Sequence, residues 1–313
     1  MKISIFAAVT LSLFWNSASC AEQSYHQPTA PTATTLGQAE AASIYVTAET
    51  NKGMLIRDLK PESLNITEDK VPVKIEKITC GKPEPLLVGI LVDVSGSRRT
   101  DSHLLAHDDA LEAFLHTLLS RDDWMYIVAY DDKVYKLSEL VADPAGVSAA
   151  FDRLRKHEPH SSTALYDAIK AAAGANFKGR LGHRTMVVVG DWEDNSSHVS
   201  SDEAMKAAQR TATTVYALVD SDNGILSKKA HKRAVDVARD VTENTGGAAY
   251  VAEEKDDFAK ALQVIGAAVT GSCRVEYTAT GNADTKKGAK LRVEATSKGM
   301  SILYPHVRFS PAQ

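Results

Sequence analysis

Apolar positions change rhythm along this chain. Between residues 41 and 83 they fall in short alternating groups, Ile44-Tyr45-Val46, Leu64-Asn65-Ile66 and Val71-Pro72-Val73-Lys74-Ile75, separated by the turn-forming stretches Asn51-Lys52-Gly53 and Glu68-Asp69-Lys70. A period of two predicts a β-rich arm. From Pro85 the pattern switches to apolar runs alternating with helical spacing. Leu86 to Val92 is a near-continuous apolar run, as a strand buried on both faces requires, and Leu104, Leu111, Leu115 and Leu118 then recur at helical intervals. Trp124 to Tyr130, Thr185 to Val189 and Val215 to Val219 predict further strands. Helices are predicted through Ala164 to Ala173, from the capping box Ser200/Glu203, through Ala230, Ala234, Val237 and Val241 up to Gly246-Gly247, and along the stripe Phe258, Ala261, Leu262, Ile265 and Val269. Strands alternating with helices over 84–271 predict a parallel sheet covered on both faces. After Cys273 the alternating β pattern returns in Arg274 to Tyr277, Leu291 to Val293 and Ile302 to Tyr304. The arms 41–83 and 272–313 are expected to form one small β domain that the α/β domain interrupts.

The N-terminus follows neither rhythm. Lys2, an apolar stretch from Ile3 to Trp15 and the small, polar run Asn16 to Ala21 form a secretory signal peptide, 1–21, with cleavage after Ala21. The apolar stretch is too short for a membrane span. A lipoprotein acylated at Cys20 is the other export route, but Ser17 stands where that signal prefers a Leu-like residue. Residues 22–40, with Pro28, Pro31 and a Thr cluster, read as a flexible linker. The expected location is therefore secreted or periplasmic. Export also changes the cysteine arithmetic, because Cys20 leaves with or borders the signal and Cys80 and Cys273 remain as an even pair. An oxidising compartment makes a disulfide between them the expectation, with two buried thiols as the alternative.

Charge narrows the partner. The 313 residues carry 36 Lys+Arg against 40 Asp+Glu, a net −4 that offers phosphates no basic footprint, so nucleic acid is excluded as the expected partner.

The chemistry gathers where the first apolar strand ends, in Asp93-Val94-Ser95-Gly96-Ser97. Ligands of open parallel sheets bind outside the carboxyl ends of strands, and a carboxylate with two hydroxyls there offers the hard oxygen donors that suit Mg²⁺ or Mn²⁺. Taken alone, the segment equally reads as a turn capping the next helix. Two further segments add to it: Ser161-Ser162-Thr163-Ala164-Leu165-Tyr166-Asp167, which opens a helix with hydroxyls, and Val187-Val188-Val189-Gly190-Asp191, which ends another buried strand with a carboxylate. Together they resemble the metal-ion-dependent adhesion site (MIDAS) of the von Willebrand factor A (VWA) domain, in which D-x-S-x-S, a distant Thr and a distant Asp share one divalent ion. The flanking β segments are similar to those of bacterial secreted VWA-related proteins.

This resemblance, over about 84–271, implies a Rossmann-like, doubly wound α/β fold. It implies a site holding Mg²⁺ or Mn²⁺ through the hydroxyls of Ser95, Ser97 and Thr163 and through Asp93 and Asp191, with one position left to water or to an acidic residue of a protein partner. The pattern departs at two places: Asp191 is usually preceded by Thr or Ser and followed by Gly, but here stands between Gly190 and Trp192. Trp192 is expected either to cover the ion or to anchor a partner. Arg98, Arg99, Trp192, Ser161 and Ser162 adjoin the ligand positions and form the expected partner surface.

Other constellations carry less. His103, His107 and Asp108 lie within about a helical turn, an ordinary occurrence on a polar helix face. His157-Glu158-Pro159-His160 approximates H-E-x-x-H, but the second His falls one residue early and Pro159 interrupts any helix. No G-x-S-x-G elbow, phosphate loop or G-x-G-x-x-G is present. The expectation is a non-enzymatic exported protein that binds a protein ligand with an exposed acidic residue through a MIDAS. The alternatives are a metal-stabilised structural or assembly factor and a divalent-metal hydrolase, the latter lacking a general base beside the five ligands.

Overall fold

The computed structural model describes residues 40–82, 84–96, 103–120, 122–158, 160–175, 180–220, 227–253, 255–281 and 287–310. The expected signal peptide and the linker up to residue 39 lie outside the described residues, as do Ser97, Arg98 and Arg99.

The N-terminal arm supplies β1 (Glu40–Thr50), β2 (Leu64–Glu68), β3 (Val71–Pro72) and β4 (Lys74–Cys80). The α/β region follows with β5 (Leu86–Asp93), α1 (His103–Leu118), β6 (Trp124–Tyr130), β7 (Val134–Lys136), α2 (Pro144–Arg155), α3 (Leu165–Ala175) and β8 (His183–Gly190). It continues through α4 (Ser201–Arg210), β9 (Thr214–Asp220), α5 (Lys228–Asn244), β10 (Ala249–Ala252) and α6 (Lys255–Gly271). The chain closes with β11 (Cys273–Ala279), β12 (Ala289–Ala295), β13 (Met300–Leu303) and β14 (Val307–Arg308).

The central sheet has the order β10-β9-β8-β5-β6-β7, parallel except for β7. Every residue of β5 is buried, which is why its sequence does not alternate. Its side chains still divide by parity. Val88, Ile90 and Val92 pack with Leu111 and Leu115 of α1, Phe151 and Leu154 of α2, and Leu262 and Ile265 of α6. Leu87 and Leu91 face the other way, toward Leu165 and Ile169 of α3, Ala204 and Ala208 of α4, and Ala238 and Val241 of α5. The result is a doubly wound α/β fold. Its strand order reverses beside β5: the chain first steps to β6, then crosses back to β8 on the opposite side, which opens a switch point between the carboxyl ends of β5 and β8.

The two arms interleave in two antiparallel sheets, β13-β1-β11-β4 and β14-β12-β2-β3, around one further core that includes Ile44, Val46, Leu64, Ile66, Val275, Tyr277, Leu291 and Val293. The stretch Val71 to Ile75 does not act as one segment: β3 pairs with β2, while β4 crosses to β11. Cys80 and Cys273 face each other in the β4–β11 register, and their sulfurs are bonded at 2.08 Å. Because β4 leads into β5 and α6 leads into β11, this crosslink sits where the α/β region leaves and re-enters the β sheets.

Four of these elements escaped the sequence reading: β7, β10, β14 and α2. The signal for α2 was present, since Asp143 caps it by accepting from the Gly146 amide at 2.9 Å, Pro144 opens its first turn, and Val147, Ala150, Phe151 and Leu154 form its buried stripe.

Candidate metal site

Strand register builds the site. In the parallel β5–β8 pair Val92 lies opposite Val189, so Asp93 arrives level with Gly190 and Asp191 follows one residue later. Asp93 Oδ1 accepts from the Ser95 amide at 2.8 Å, and Asp191 Oδ1 accepts from the Glu193 amide at 3.0 Å, so each carboxylate is fixed by its own turn. Glycine at 190 answers a packing demand: a Cβ there would lie 2.7 Å from the Tyr130 hydroxyl oxygen and 2.8 Å from Asp93 Cβ. The family's Thr or Ser would displace Asp93 or Tyr130.

Three loops are then laced together by main-chain bonds. The Gly96 amide donates to the His160 carbonyl (2.7 Å) and the Val94 amide to the Tyr130 carbonyl (2.9 Å), holding the loop after β5. The Ala164 amide donates to the Asp131 carbonyl at 2.6 Å, which places Thr163 beside the end of β6. The Thr163 amide donates to Asn195 Oδ1 at 2.8 Å, and the Asn195 and Ser196 amides return to the Thr163 carbonyl at 3.0 and 3.1 Å. Asp194 and Ser197 accept from the Tyr166 and Asp167 amides at 3.2 and 3.1 Å, capping α3 from the loop after β8. The side chains of Asn195 and Ser197 thus brace the site.

Asp93, Ser95, Thr163 and Asp191 are all buried, between 1 and 5% exposed. Two carboxylates and two hydroxyls, from two adjacent strand ends and the start of α3, are an all-oxygen set, so the residues fit a hard divalent cation.

Of the expected partner surface, Ser161 is exposed and Ser162 half-buried. Trp192 is a correction. It is 1% exposed, its ring packs in the apolar cluster with Leu165, Ala204 and Val219, and its indole N–H donates to the Val188 carbonyl at 3.4 Å. A buried ring cannot anchor a partner. Its backbone explains the family's glycine: φ is 61°, a left-handed conformation that costs a side-chain-bearing residue about 1–2 kcal/mol. Burial of the indole offsets that cost here.

His107 is buried. It stacks on Phe258 with ring centroids 4.0 Å apart, and its Nδ1 lies 3.2 Å from Asp220 at the end of β9. The side chain of His103 lies outside the described residues. Sequence reasoning also missed Asp131. This fully buried carboxylate takes His160 Nδ1 at 2.8 Å and His157 Nε2 at 3.1 Å on its Oδ2. Burial acts to raise its pKa, but the hydrogen bonds from His160 and His157 outweigh it and hold the carboxyl well below the usual range. The hydrogen bond and charge of Asp131 in turn raise the pKa of His160. The only sequence signal was the pair of histidines three residues apart.

Residues 88–193 match the family model of the von Willebrand factor type A domain. Similar solved structures include a von Willebrand factor type A protein from Catenulispora acidiphila, 13% identical over 88% of this chain and 74% of that one, with a TM-score of 0.51. Another is proximal thread matrix protein 1 from the mussel byssus with a zinc-occupied MIDAS motif, 14% identical over 64% of this chain and 50% of that one, with a TM-score of 0.53. Comparison with curated protein sequences returns no match. The α/β region has a VWA-like fold, with a mostly parallel sheet and two small antiparallel sheets beside it in the chain. Among the described residues no helix is long and apolar enough to cross a membrane.

Proposed function

We propose that this chain is a non-enzymatic exported protein that binds a protein partner through a divalent cation held by Asp93, Ser95, Ser97, Thr163 and Asp191. The observation that carries the reading is the meeting of the Asp93, Thr163 and Asp191 loops at the sheet's switch point, cross-braced by backbone hydrogen bonds. The carboxylates of Asp93 and Asp191 supply the charge, and the hydroxyls complete an oxygen set suited to Mg²⁺ or Mn²⁺. A bound cation supplies a Lewis-acid position for an acidic residue of the partner. Exposed Ser161 stands at the rim, and Arg98 and Arg99, next to Ser97 in sequence, favour an anionic ligand. With Trp192 in the core, the surface rests on these residues.

The burial of four ligand residues below 6% also suits a second reading, in which the ion only stabilises the loops. A pull-down from the native cell envelope, with Mg²⁺ and with chelator, decides between them. Mg²⁺-dependent capture of a defined partner, lost in Asp93→Ala, supports binding. A metal effect on melting without any capture overturns it in favour of the structural reading.

A further inference from the structure

Asp131 follows β6 at the same edge of the sheet, and the segment after α2 brings two imidazoles back to it. His157 approaches through Nε2 and His160 through Nδ1, at 3.1 and 2.8 Å from the same oxygen, and the three donor atoms all lie within 4.8 Å of one another. The carboxylate is oriented from behind: Oδ1 accepts from the Lys133 amide at 3.2 Å, and Oδ2 also takes the His160 amide at 3.2 Å. Tyr135 packs edge-on against the His157 ring at 4.4 Å and parallel to the His160 ring at 6.5 Å, which limits the tilt of both rings. Such outer partners are what a ligating carboxylate and imidazole need.

A purely structural pairing is the competing account, and the chain shows how it makes one. Buried Glu68 is met by a single guanidinium, that of Arg308, together with two hydroxyls and an amide. Asp131 is instead met by two rings through different nitrogens, one of them 54% exposed, so the cluster opens to solvent on one side. A tetrahedral ion with bonds of about 2.0–2.1 Å separates its ligand atoms by roughly 3.3 Å. Both observed pairs are within half an ångström of that spacing.

We propose that Asp131 Oδ2, His157 Nε2 and His160 Nδ1 form a second metal site, taking Zn²⁺ or another imidazole-binding divalent ion, with a further position open to water or an exogenous ligand. Two nitrogens and one carboxylate select a borderline ion, whereas the all-oxygen set selects a hard one, so the two sites differ in metal. They are also adjacent. The His160 carbonyl holds the Gly96 amide and the Asp131 carbonyl holds the Ala164 amide, so the new ligands carry the loops of Ser95 and Thr163 on their own backbone.

This inference stands whether or not the MIDAS reading holds, and one experiment keeps them apart. Untagged full-length protein is titrated with Zn²⁺ by calorimetry and with Co²⁺ by visible absorption, in excess Mg²⁺, for wild type, His160→Ala, His157→Ala and Asp93→Ala. Wild type should bind one Zn²⁺ and give the intense absorption of nitrogen-ligated tetrahedral Co²⁺. Either histidine variant should weaken Zn²⁺ by at least about 100-fold, the upper end of what even supporting residues contribute. Asp93→Ala should bind Zn²⁺ as wild type does. Circular dichroism confirms that the variants fold, which the exposure of His160 favours. No Zn²⁺ binding by wild type overturns the proposal. So does unchanged affinity in a folded His160→Ala, or binding that is lost only in Asp93→Ala.

Discussion

Two regions of this molecule bury carboxylates and put them to different uses. In the β sheets, Glu68 ends β2 and is answered from within the chain: Arg308 Nε donates at 2.6 Å and Tyr277 Oη at 2.8 Å to one oxygen, and the Thr280 amide and hydroxyl donate at 2.8 and 3.1 Å to the other. At the edge of the parallel sheet, Asp93 and Asp191 are fixed by amides two residues along their own loops and are brought together by strand register. Glu68 ties three distant stretches of the chain and closes the β unit. The paired aspartates gather negative charge at a switch point, where fold topology places ligands. What separates structural Glu68 from the carboxylates proposed to hold a cation is therefore the source of the counter-charge and the place in the sheet. Burial does not distinguish them.

The comparison breaks most visibly if the β unit is opened. The Cys80–Cys273 bond closes a loop spanning 193 residues, for which chain entropy gives up to about 5 kcal/mol. Cys80→Ser/Cys273→Ser should lose a large part of that in urea denaturation while Mg²⁺ titration of the folded protein stays unchanged. Non-reducing peptide mapping of exported protein should recover the two cysteines in one linked species, and two alkylatable thiols would contradict it.

Next in size is the Glu68 pair. Arg308→Met leaves a buried carboxylate without its cation, a change that costs about 3–5 kcal/mol. Burial raises the Glu68 pKa, but the Arg308, Thr280 and Tyr277 hydrogen bonds more than reverse this, and the folded-state pKa is lowered. The stabilisation is thus fully present above the ordinary carboxylate pKa and is lost as pH falls through the depressed one. Wild type should lose stability steeply in that acid window. Arg308→Met should show a shallower loss there, measured by urea melts across pH, and parallel slopes would remove Glu68 from the comparison.

Much of this was legible in the sequence, for physical reasons that differ by element. The apolar runs of β5, β6, β8 and β9 and the stripes of α1, α5 and α6 are statements about burial, and burial is what the fold satisfies. β7 and β10 are only three and four residues long, too short to show a period, and their pairing is tertiary. At the candidate site, the meeting of the Asp93, Thr163 and Asp191 segments was readable because register and strand ends follow from topology. The direction of Trp192 was not, since the inward turn depends on a left-handed φ that indole burial stabilises. The convergence on Asp131 was hidden as well, because a loop after α2 delivers the two histidines.

Trp192 variants test the balance between indole burial and the left-handed backbone. Trp192→Ala should cost about 3–5 kcal/mol, as for a large core side chain, and alter partner capture only through stability. Trp192→Gly removes more atoms yet relieves the φ of 61°, so it should be more stable than Trp192→Ala by about 1 kcal/mol. Thermal melts of the pair check the order. The reverse order would mean that the backbone there relaxes and carries no strain.

The smallest effect on folding should come from the residue most important to the site. Asp93 is 2% exposed, which for an apolar side chain would promise a large loss on truncation. Its carboxylate stands beside Asp191 at the ends of adjacent strands, however, and removing one of two neighbouring negative charges relieves their repulsion. The lost Ser95 amide bond, worth about 1 kcal/mol, opposes that gain. Asp93→Ala in chelator should therefore melt within about 1 kcal/mol of wild type. With millimolar Mg²⁺ the two should part: a ligand binding only the folded state stabilises wild type by about 2.7 kcal/mol at 100 times its Kd, and the variant should gain nothing. Calorimetry gives the Kd, and melting with and without Mg²⁺ gives the stabilisation. If wild type shows neither heat nor shift, Gly190 and the inward Trp192 have built a strand-end turn in which Asp93 serves the backbone alone, and the contrast with Glu68 collapses.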